Sequence, residues 1–224
     1  MELNPDKREL ALKFVYYGPG LSGKTTNLRA LFQTADPRGR GRLMTVDTAD
    51  DRTLFFDLLP LFLQTSSGLK VKLKLFTVPG QVMHNSTRRL VLAGADAVAF
   101  IADAQPGERQ ANFDYWRNLG ENLRENGIST ENLPLVIQFN KCDLADGALR
   151  QEIAETARNS RRPVFAATAI RGEGVKETFS ALVSLTLERL DREHGLARST
   201  GLDLAELLGS LARTLEGSRA GGPR

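Results

Sequence analysis

The glycine-rich segment at residues 18–25, which reads GPGLSGKT, constrains the fold more than any other feature of the sequence. It fits the pattern GxxxxGK[ST], directly after the apolar stretch LKFVYY at 12–17 and directly before a helical pattern at 24–33. Glycines at these places let successive backbone N–H groups curl around phosphate oxygens, and the start of a helix adds its partial positive charge. The order of strand, loop and helix therefore predicts a phosphate-binding loop for a nucleoside triphosphate.

Strand and helix patterns alternate along the rest of the chain. Nearly continuous apolar runs at 97–102 and 135–139 predict strands that are buried on both faces. The alternating run VKLKLFTV at 71–78 predicts a half-buried strand near an edge of the sheet. One helical period is carried by Phe113, Trp116, Leu119 and Leu123, and another spans 175–190. This alternation predicts an α/β fold, with a mainly parallel central sheet and helices on both faces.

Composition excludes several other classes of protein. The chain has 224 residues, and 30 Lys and Arg against 27 Asp and Glu leave a net charge of +3. The basic residues are scattered, which argues against nucleic acid as a ligand. A single cysteine, Cys142, and two histidines provide neither an internal disulfide nor a His/Cys metal cluster. No apolar run approaches the ~18 residues of a membrane span, so we expect a cytoplasmic protein with no integral membrane segment.

A second motif, NKCD at 140–143, follows the apolar run at 135–139. The Asp143 carboxylate can accept hydrogen bonds from N1–H and the exocyclic amine of guanine, a donor pair that adenine lacks. We expect Asn140 to tie this loop to the phosphate loop, and the Lys141 stem to pack over the purine ring. NKCD alone is also an ordinary polar turn, but behind a phosphate loop it predicts a guanine nucleotide.

Two further segments are DRTLFFDLLP at 51–60 and TVPGQV at 77–82. Together with GPGLSGKTTNL and NKCD, in this order and spacing, they resemble the MglA group of bacterial small Ras-like GTPases over about residues 10–192. The resemblance implies a P-loop NTPase with a Ras-like G domain that uses GTP, GDP and Mg²⁺. It also implies a molecular switch that hydrolyses GTP slowly without an activating partner.

The motifs and the resemblance together assign the nucleotide contacts. The residues expected to bind nucleotide are Gly18, Gly20, Leu21, Ser22, Gly23, Lys24, Thr25, Thr26, Thr53, Gly80, Asn140, Lys141, Asp143, Thr168 and Ala169. Lys24 is expected to reach the β- and γ-phosphates and to act in catalysis, while the Thr25 hydroxyl ligates Mg²⁺. The resemblance adds Thr53 as a second Mg²⁺ ligand. Residues 167–169 take the place of a Ser-Ala-Lys element in related GTPases, so the Ala169 N–H is expected to reach guanine O6.

The resemblance also assigns the hydrolysis machinery. The Gln81 amide is expected to orient the attacking water, and Arg52 to supply a catalytic arginine in cis. The alternatives without a catalytic role are an exposed turn residue for Gln81 and a solvated loop arginine for Arg52. The motif around Gly80 ordinarily begins with an aspartate that supports Mg²⁺, and here that position is Thr77. The same departure is typical of the MglA group.

We expect a lead-in at 1–11, the GTPase domain at 12–192 and an extension at 193–224. Leu204, Leu208, Leu211 and Leu215 have helical spacing, which predicts an amphipathic helix at 199–216 that Ser199 or Thr200 caps, before a disordered end. Three roles stay open for this helix. It packs on the domain, binds a partner or second copy, or lies on a membrane.

The resemblance implies partners as well. We expect a roadblock-domain GTPase-activating protein similar to MglB, downstream effectors of the GTP state, and a role in bacterial cell polarity or motility, with recruitment to a cell pole as an option. Two alternatives remain. The first is a GTP-binding scaffold with negligible hydrolysis, for which Thr77 is the main argument, and the second is an adenine-nucleotide enzyme such as a small kinase.

Overall fold

The computed structural model describes residues 1–46, 56–80 and 84–217. The strands in these ranges are β1 (Glu2–Asn4), β2 (Glu9–Tyr17), β3 (Met44–Val46), β4 (Phe56–Gln64), β5 (Lys70–Thr77), β6 (Ala97–Asp103), β7 (Leu135–Asn140) and β8 (Val164–Ala166). The α-helices are α1 (Lys24–Thr34), α2 (Asn85–Leu92), α3 (Arg109–Glu125), α4 (Gly147–Asn159), α5 (Val175–His194), α6 (Leu196–Thr200) and α7 (Leu204–Glu216). Short 3₁₀ turns follow β7 and β8, at Cys142–Leu144 and Ala169–Arg171.

All of these strands belong to one mixed sheet. Its order is β3-β4-β5-β2-β6-β7-β8, with β1 paired to the beginning of β2. The strands β5, β2, β6, β7 and β8 are parallel, whereas β4 is antiparallel to both of its neighbours. One apolar layer unites a face of the sheet with α1, α5 and α7, and a second layer unites the other face with α2 and α3. The predicted α/β class with a mainly parallel sheet is therefore confirmed.

The position predicted for the strand at 71–78 was wrong. β5 lies inside the sheet, between β4 and β2, with Leu73 opposite both Leu61 and Leu12. The alternation itself was correct, because Leu73 is buried while Lys72 is exposed. An alternating pattern shows that one face of a strand is exposed, but it does not show how many neighbours pair with its edges. The neighbour that was missed, β4, is a mostly apolar strand that contains Pro60.

The first parallel strand, β2, is longer than the apolar stretch at 12–17 that predicted it. β2 begins at Glu9 rather than at Leu12, because its polar beginning pairs with β5 on one side and with β1 on the other. Residues 1–11 thus contribute strand to the central sheet. In α3, three residues of the predicted helical period, Trp116, Leu119 and Leu123, pack in the second apolar layer. The fourth, Phe113, is 60% exposed, and Tyr115, which the pattern omitted, is 8% exposed.

The chain after α5 folds into two helices. α7 begins five residues later than position 199, because Gly201 ends α6 in a left-handed conformation and Asp203 caps α7 by accepting from the Ala205 and Glu206 amides. Its buried leucines, Leu207, Leu211 and Leu215, join the apolar layer of α1 and α5. Burial of this kind contributes about 1.5–3 kcal/mol per leucine, so α7 packs on the domain as an integral part of its core. Residues 218–224, where the disordered end was expected, lie outside the described residues.

No helix within the described ranges is both long enough and apolar enough to cross a membrane.

Candidate functional site

The phosphate loop joins β2 to α1 at the carboxyl ends of the parallel strands, where ligands of such sheets bind. Gly18 and Gly23 both have positive φ, at 145° and 95°. A Cβ on Gly23 would lie 2.1 Å from the Asn140 side-chain amide nitrogen, and one on Gly18 would lie 2.2 Å from the Ile101 carbonyl oxygen. Glycine is therefore required at both positions by conformation and by close packing, which brings the loop against β6 and β7.

Lys24 begins α1 and is 6% exposed. Its ammonium donates to the carbonyl oxygens of Gly18, at 2.9 Å, and of Pro19, at 2.5 Å. Burial, with a smaller contribution from the Arg88 charge, lowers the pKa of Lys24 to about 7. A buried cation with a depressed pKa is stabilised by an approaching anion, so this site favours a phosphate group.

Asn140 connects three loops. Its side-chain amide donates to the Ser22 carbonyl oxygen at 2.8 Å, and its carbonyl oxygen accepts from the Ala169 N–H at 2.8 Å. Asn140 is 3% exposed, so both hydrogen bonds are shielded from water. The phosphate loop, the NKCD loop and the loop after β8 are thereby held in one fixed arrangement.

The side chains of the NKCD loop surround a small cavity beside the phosphate loop. The cavity has a volume of about 220 Å³ and is lined by Leu21, Gly23, Thr26, Asn140, Lys141, Asp143, Leu144, Thr168, Ala169 and Ile170. Lys141 has positive φ, 67°, and its ammonium lies 2.6 Å from an Asp103 carboxylate oxygen. Asp143 lies 3.8 Å from the exposed Arg171 guanidinium. The cavity thus presents the Asp143 carboxylate beside the aliphatic stem of Lys141.

A larger cleft of about 890 Å³ lies along the other side of the phosphate loop. Among the predicted contacts, it is lined by Gly20, Leu21, Gly23, Lys24, Thr25, Thr26, Gly80 and Lys141. Leu21, Gly23, Thr26 and Lys141 line both spaces, so the two run together past the phosphate loop. Their size and their mixture of polar and apolar groups suit a nucleotide. Two predicted contacts, Gly18 and Ser22, face inward, where their carbonyl oxygens accept from Lys24 and Asn140.

Asp57 was missed by sequence reasoning. It lies on β4, is 7% exposed, and accepts hydrogen bonds from the hydroxyls of Thr25 at 2.5 Å, Thr77 at 3.0 Å and Thr45 at 2.9 Å. Its own backbone N–H donates to the Thr77 hydroxyl at 2.8 Å. The available signal was a single carboxylate inside the otherwise apolar run LFFDLLPLFL. A buried charge in such a run needs polar partners, so its presence indicates a polar site.

The donor set around Asp57 fits a magnesium ion. The Thr25 hydroxyl donates a hydrogen bond to Asp57, so the lone pairs of the Thr25 oxygen remain available to a cation. Carboxylate and hydroxyl oxygens are the hard donors that Mg²⁺ prefers. Position 77 lacks the usual carboxylate, and Asp57 on the neighbouring strand β4 supplies one beside the Thr77 hydroxyl instead.

Three predicted residues lie outside the described residues. Arg52 and Thr53 belong to 47–55, and Gln81 belongs to 81–83.

The fold and the cleft define the class of protein. A mainly parallel sheet whose first parallel strand leads into a phosphate loop, with an NKCD loop tied to that phosphate loop, is a Ras-like G domain of the P-loop type.

Comparison with known proteins narrows the class to one family. No family model matches the chain. The chain is 41% identical over 190 residues to the mutual gliding-motility protein MglA of Myxococcus xanthus, and this alignment covers 85% of the chain and 97% of that relative. It is 29% identical over 120 residues to the human Ras-related protein Rab-7b, covering 53% of the chain and 59% of that relative. The chain belongs to the MglA family of Ras-like small GTPases.

Proposed function

We propose that this protein is a guanine-nucleotide switch that hydrolyses GTP to GDP and phosphate. The observation that carries the proposal is the position of Asn140, which holds the phosphate loop and a guanine-type aspartate loop around one continuous cleft. Two motifs that are each ambiguous alone are joined there by a buried side chain. A protein that bound only phosphate would not need this connection to a base-recognition loop.

The cleft supports one orientation of the nucleotide. Phosphates lie against the backbone N–H groups of residues 20–26, where Lys24 neutralises their charge. The base enters the small cavity, where Asp143 accepts from guanine. The Ala169 N–H, which the resemblance assigns to O6, donates to the Asn140 side-chain oxygen here and must leave that oxygen to reach the base. The Lys141 stem covers one side of the ring. Thr168, beside Ala169, completes the wall of the cavity.

Magnesium is held at the other end of the cleft. When bound, it supplies neutralisation of the charge on the β- and γ-phosphates. Thr25 would ligate the ion through its hydroxyl oxygen, while Asp57 accepts a hydrogen bond from the same hydroxyl. Thr53 is the second protein ligand that the family resemblance implies. Thr77 retains a part in this arrangement because its hydroxyl holds the Asp57 carboxylate.

Hydrolysis rests on residues assigned by resemblance. Gln81 orients the attacking water, Arg52 stabilises the charge that develops on the transferring phosphoryl group, and the Gly80 N–H faces the γ-phosphate. Turnover is slow until a roadblock-domain activating protein similar to MglB binds. Release of Thr53 and Gly80 after hydrolysis changes which effectors bind.

The name of the Myxococcus relative supports a role in gliding motility or in the cell polarity that directs it. We propose a cytoplasmic protein that partners recruit to a cell pole.

The experiment that tests the switch is nucleotide binding followed by turnover. Calorimetry with GDP, GTP and ATP in the presence of Mg²⁺ is expected to detect both guanine nucleotides and not ATP. Phosphate release is then measured alone and with a roadblock-domain partner, and the partner is expected to accelerate it. Binding of ATP in preference to GTP would contradict the proposal.

The second candidate is a GTP-binding scaffold with negligible hydrolysis. Thr77 favours it, because a neutral side chain stands where a metal-supporting carboxylate is usual. Asp57 favours the enzyme, because it supplies a carboxylate at that place. Phosphate release that stays at background with every roadblock-domain partner would favour the scaffold.

A further inference from the structure

Gly80, which follows β5, lies directly against the phosphate loop. A Cβ on Gly80 would stand 2.4 Å from the Gly20 Cα, 2.7 Å from the Gly20 nitrogen and 3.1 Å from the Lys24 ammonium nitrogen. A Cβ on Gly20 would in turn stand 2.8 Å from the Gly80 carbonyl oxygen. The two backbones are thus in van der Waals contact at the mouth of the loop, beside the ammonium that serves the terminal phosphate.

One side chain holds Gly80 in this position. The Tyr115 hydroxyl, on α3, donates to the Gly80 carbonyl oxygen at 2.8 Å. Tyr115 is 8% exposed, and burial raises the pKa of its phenol, so the hydroxyl stays protonated as a donor. The ring is fixed as well, with the Arg88 guanidinium carbon 5.2 Å from its centroid.

The segment that carries Tyr115 is anchored by a polar network in which Tyr17 and Asn122 are buried and Asn85 is exposed. The Tyr17 hydroxyl donates to the Asn118 side-chain oxygen at 2.6 Å and accepts from the Asn122 amide at 2.9 Å. The Asn118 and Asn122 amides also donate to the Asn85 side-chain oxygen, at 3.0 and 2.9 Å. β2, α2 and α3 are therefore joined through these groups, and Tyr115 projects from a rigid base towards Gly80.

We infer that Tyr115 is a positioning residue that sets the preference of the site for diphosphate over triphosphate, an inference that rests on the proposed function. A diphosphate uses the loop and Lys24 without needing the space that Gly80 fills. A terminal phosphate needs that space, so Gly80 must move away from Gly20 and its carbonyl must leave the Tyr115 hydroxyl.

The hydrogen bond therefore exists in only one of two states. A hydrogen bond that exists in one state alone favours that state by its net free energy. The affinity of a ligand that binds only the state without the bond falls by the corresponding factor. A neutral hydrogen bond at a partly buried site accounts for about a fivefold shift. Tyr115 thus weakens triphosphate binding by about this factor while leaving diphosphate binding unchanged.

The test compares Tyr115→Phe with the wild-type protein by calorimetry, using GDP and a non-hydrolysable GTP analogue with Mg²⁺. The variant loses one oxygen and keeps the ring in its packing. We expect its affinity for the GTP analogue to rise about fivefold, and its affinity for GDP to stay within twofold.

Tyr17→Phe is the matched control, because it removes a buried hydroxyl that bonds to Asn118 and Asn122 and leaves the Tyr115–Gly80 hydrogen bond in place. We expect Tyr17→Phe to lower the melting temperature while the ratio of the two affinities stays at the wild-type value. An unchanged ratio in Tyr115→Phe, or an equal change in Tyr17→Phe, overturns the inference. Failure of the wild-type protein to bind either guanine nucleotide is a separate result, which overturns the proposed function instead.

Discussion

The two ends of the cleft are built differently. At the base end, Lys141 and Asp143 both belong to the short NKCD loop, and Asn140 of the same loop locks it to the phosphate loop and to the loop after β8 through two buried hydrogen bonds. At the magnesium end, Thr25, Asp57 and Thr77 come from α1, β4 and β5, and they meet only because the sheet pairs β4 with β5. The base end is a local motif, whereas the magnesium end is a product of the tertiary fold.

The largest expected effect tests the base end. Asp143→Ala removes the acceptor for two guanine donors and leaves them unpaired, so we expect GDP affinity to fall by about 10²–10³-fold. Calorimetry at fixed Mg²⁺ measures it. Asp146→Ala is the control, since Asp146 is a nearby aspartate that caps α4 by accepting from the Leu149 amide at 2.8 Å. Equal losses of GDP affinity in the two variants would remove Asp143 from base recognition.

The next effect tests the magnesium end. Thr77→Asp restores the usual residue of the motif but places a second carboxylate beside Asp57, whose oxygen now lies 3.0 Å from the Thr77 hydroxyl. Two adjacent carboxylates repel each other, so we expect the free energy of unfolding at pH 7 to fall by about 2 kcal/mol. Because the repulsion raises a folded-state pKa, the loss develops as pH rises above about 4 and vanishes below it.

Urea denaturation at several pH values measures this loss. Asp57→Asn combined with Thr77→Asp is the control, because it leaves one carboxylate in the pair. We expect the double variant to recover most of the stability at pH 7. If Thr77→Asp alone is as stable as the wild-type protein, Asp57 and Thr77 do not share one site.

The same difference explains what the sequence could predict. The phosphate loop and NKCD are contiguous strings whose chemistry is visible in one dimension, and the α/β class follows from the order of apolar runs. β4 was missed because Pro60 and a long apolar run hide its strand character, and Asp57 was missed with it. Tyr115 was missed because the pattern placed Phe113 on the buried face, whereas α3 buries Tyr115 and leaves Phe113 60% exposed. Pairing and helix rotation depend on tertiary contacts, which periodicity alone does not encode.

A smaller effect concerns the charge of Lys24, which lies between the two ends of the cleft. With the pKa of Lys24 lowered to about 7, much of the nucleotide-free protein is uncharged at this residue above neutral pH. Bound phosphates restore the charged form, so binding takes up a proton, and we expect GDP affinity to be about fivefold lower at pH 8 than at pH 7.

Calorimetry in buffers of different ionisation enthalpy measures the proton uptake, which is expected to approach one proton per GDP at pH 8. The folded-state pKa of Lys24 lies below its usual value. The stability contributed by this group is therefore fully present above about pH 10.5 and is lost as pH falls towards about 7. GDP binding with no proton uptake at pH 8 would show that Lys24 stays charged without nucleotide.

The smallest expected effect tests whether each cross-strand hydroxyl at the magnesium end contributes to the free energy of unfolding. Thr45 lies on β3 and donates to the Asp57 carboxylate at 2.9 Å from an exposed position. Thr45→Val removes this donor with little change in volume, and we expect the free energy of unfolding to fall by about 0.5–1 kcal/mol.

Thr168→Val at the base end is the matched control. Thr168 is 5% exposed, and its hydroxyl makes no hydrogen bond within the described part of the chain, so Thr168→Val is expected to lower the free energy of unfolding less than Thr45→Val does. Urea denaturation of the nucleotide-free proteins measures both values. If Thr168→Val lowers the free energy of unfolding more than Thr45→Val does, the expected difference between the two ends is wrong. Side-chain hydrogen bonds across strands would then matter no more at the magnesium end than at the base end.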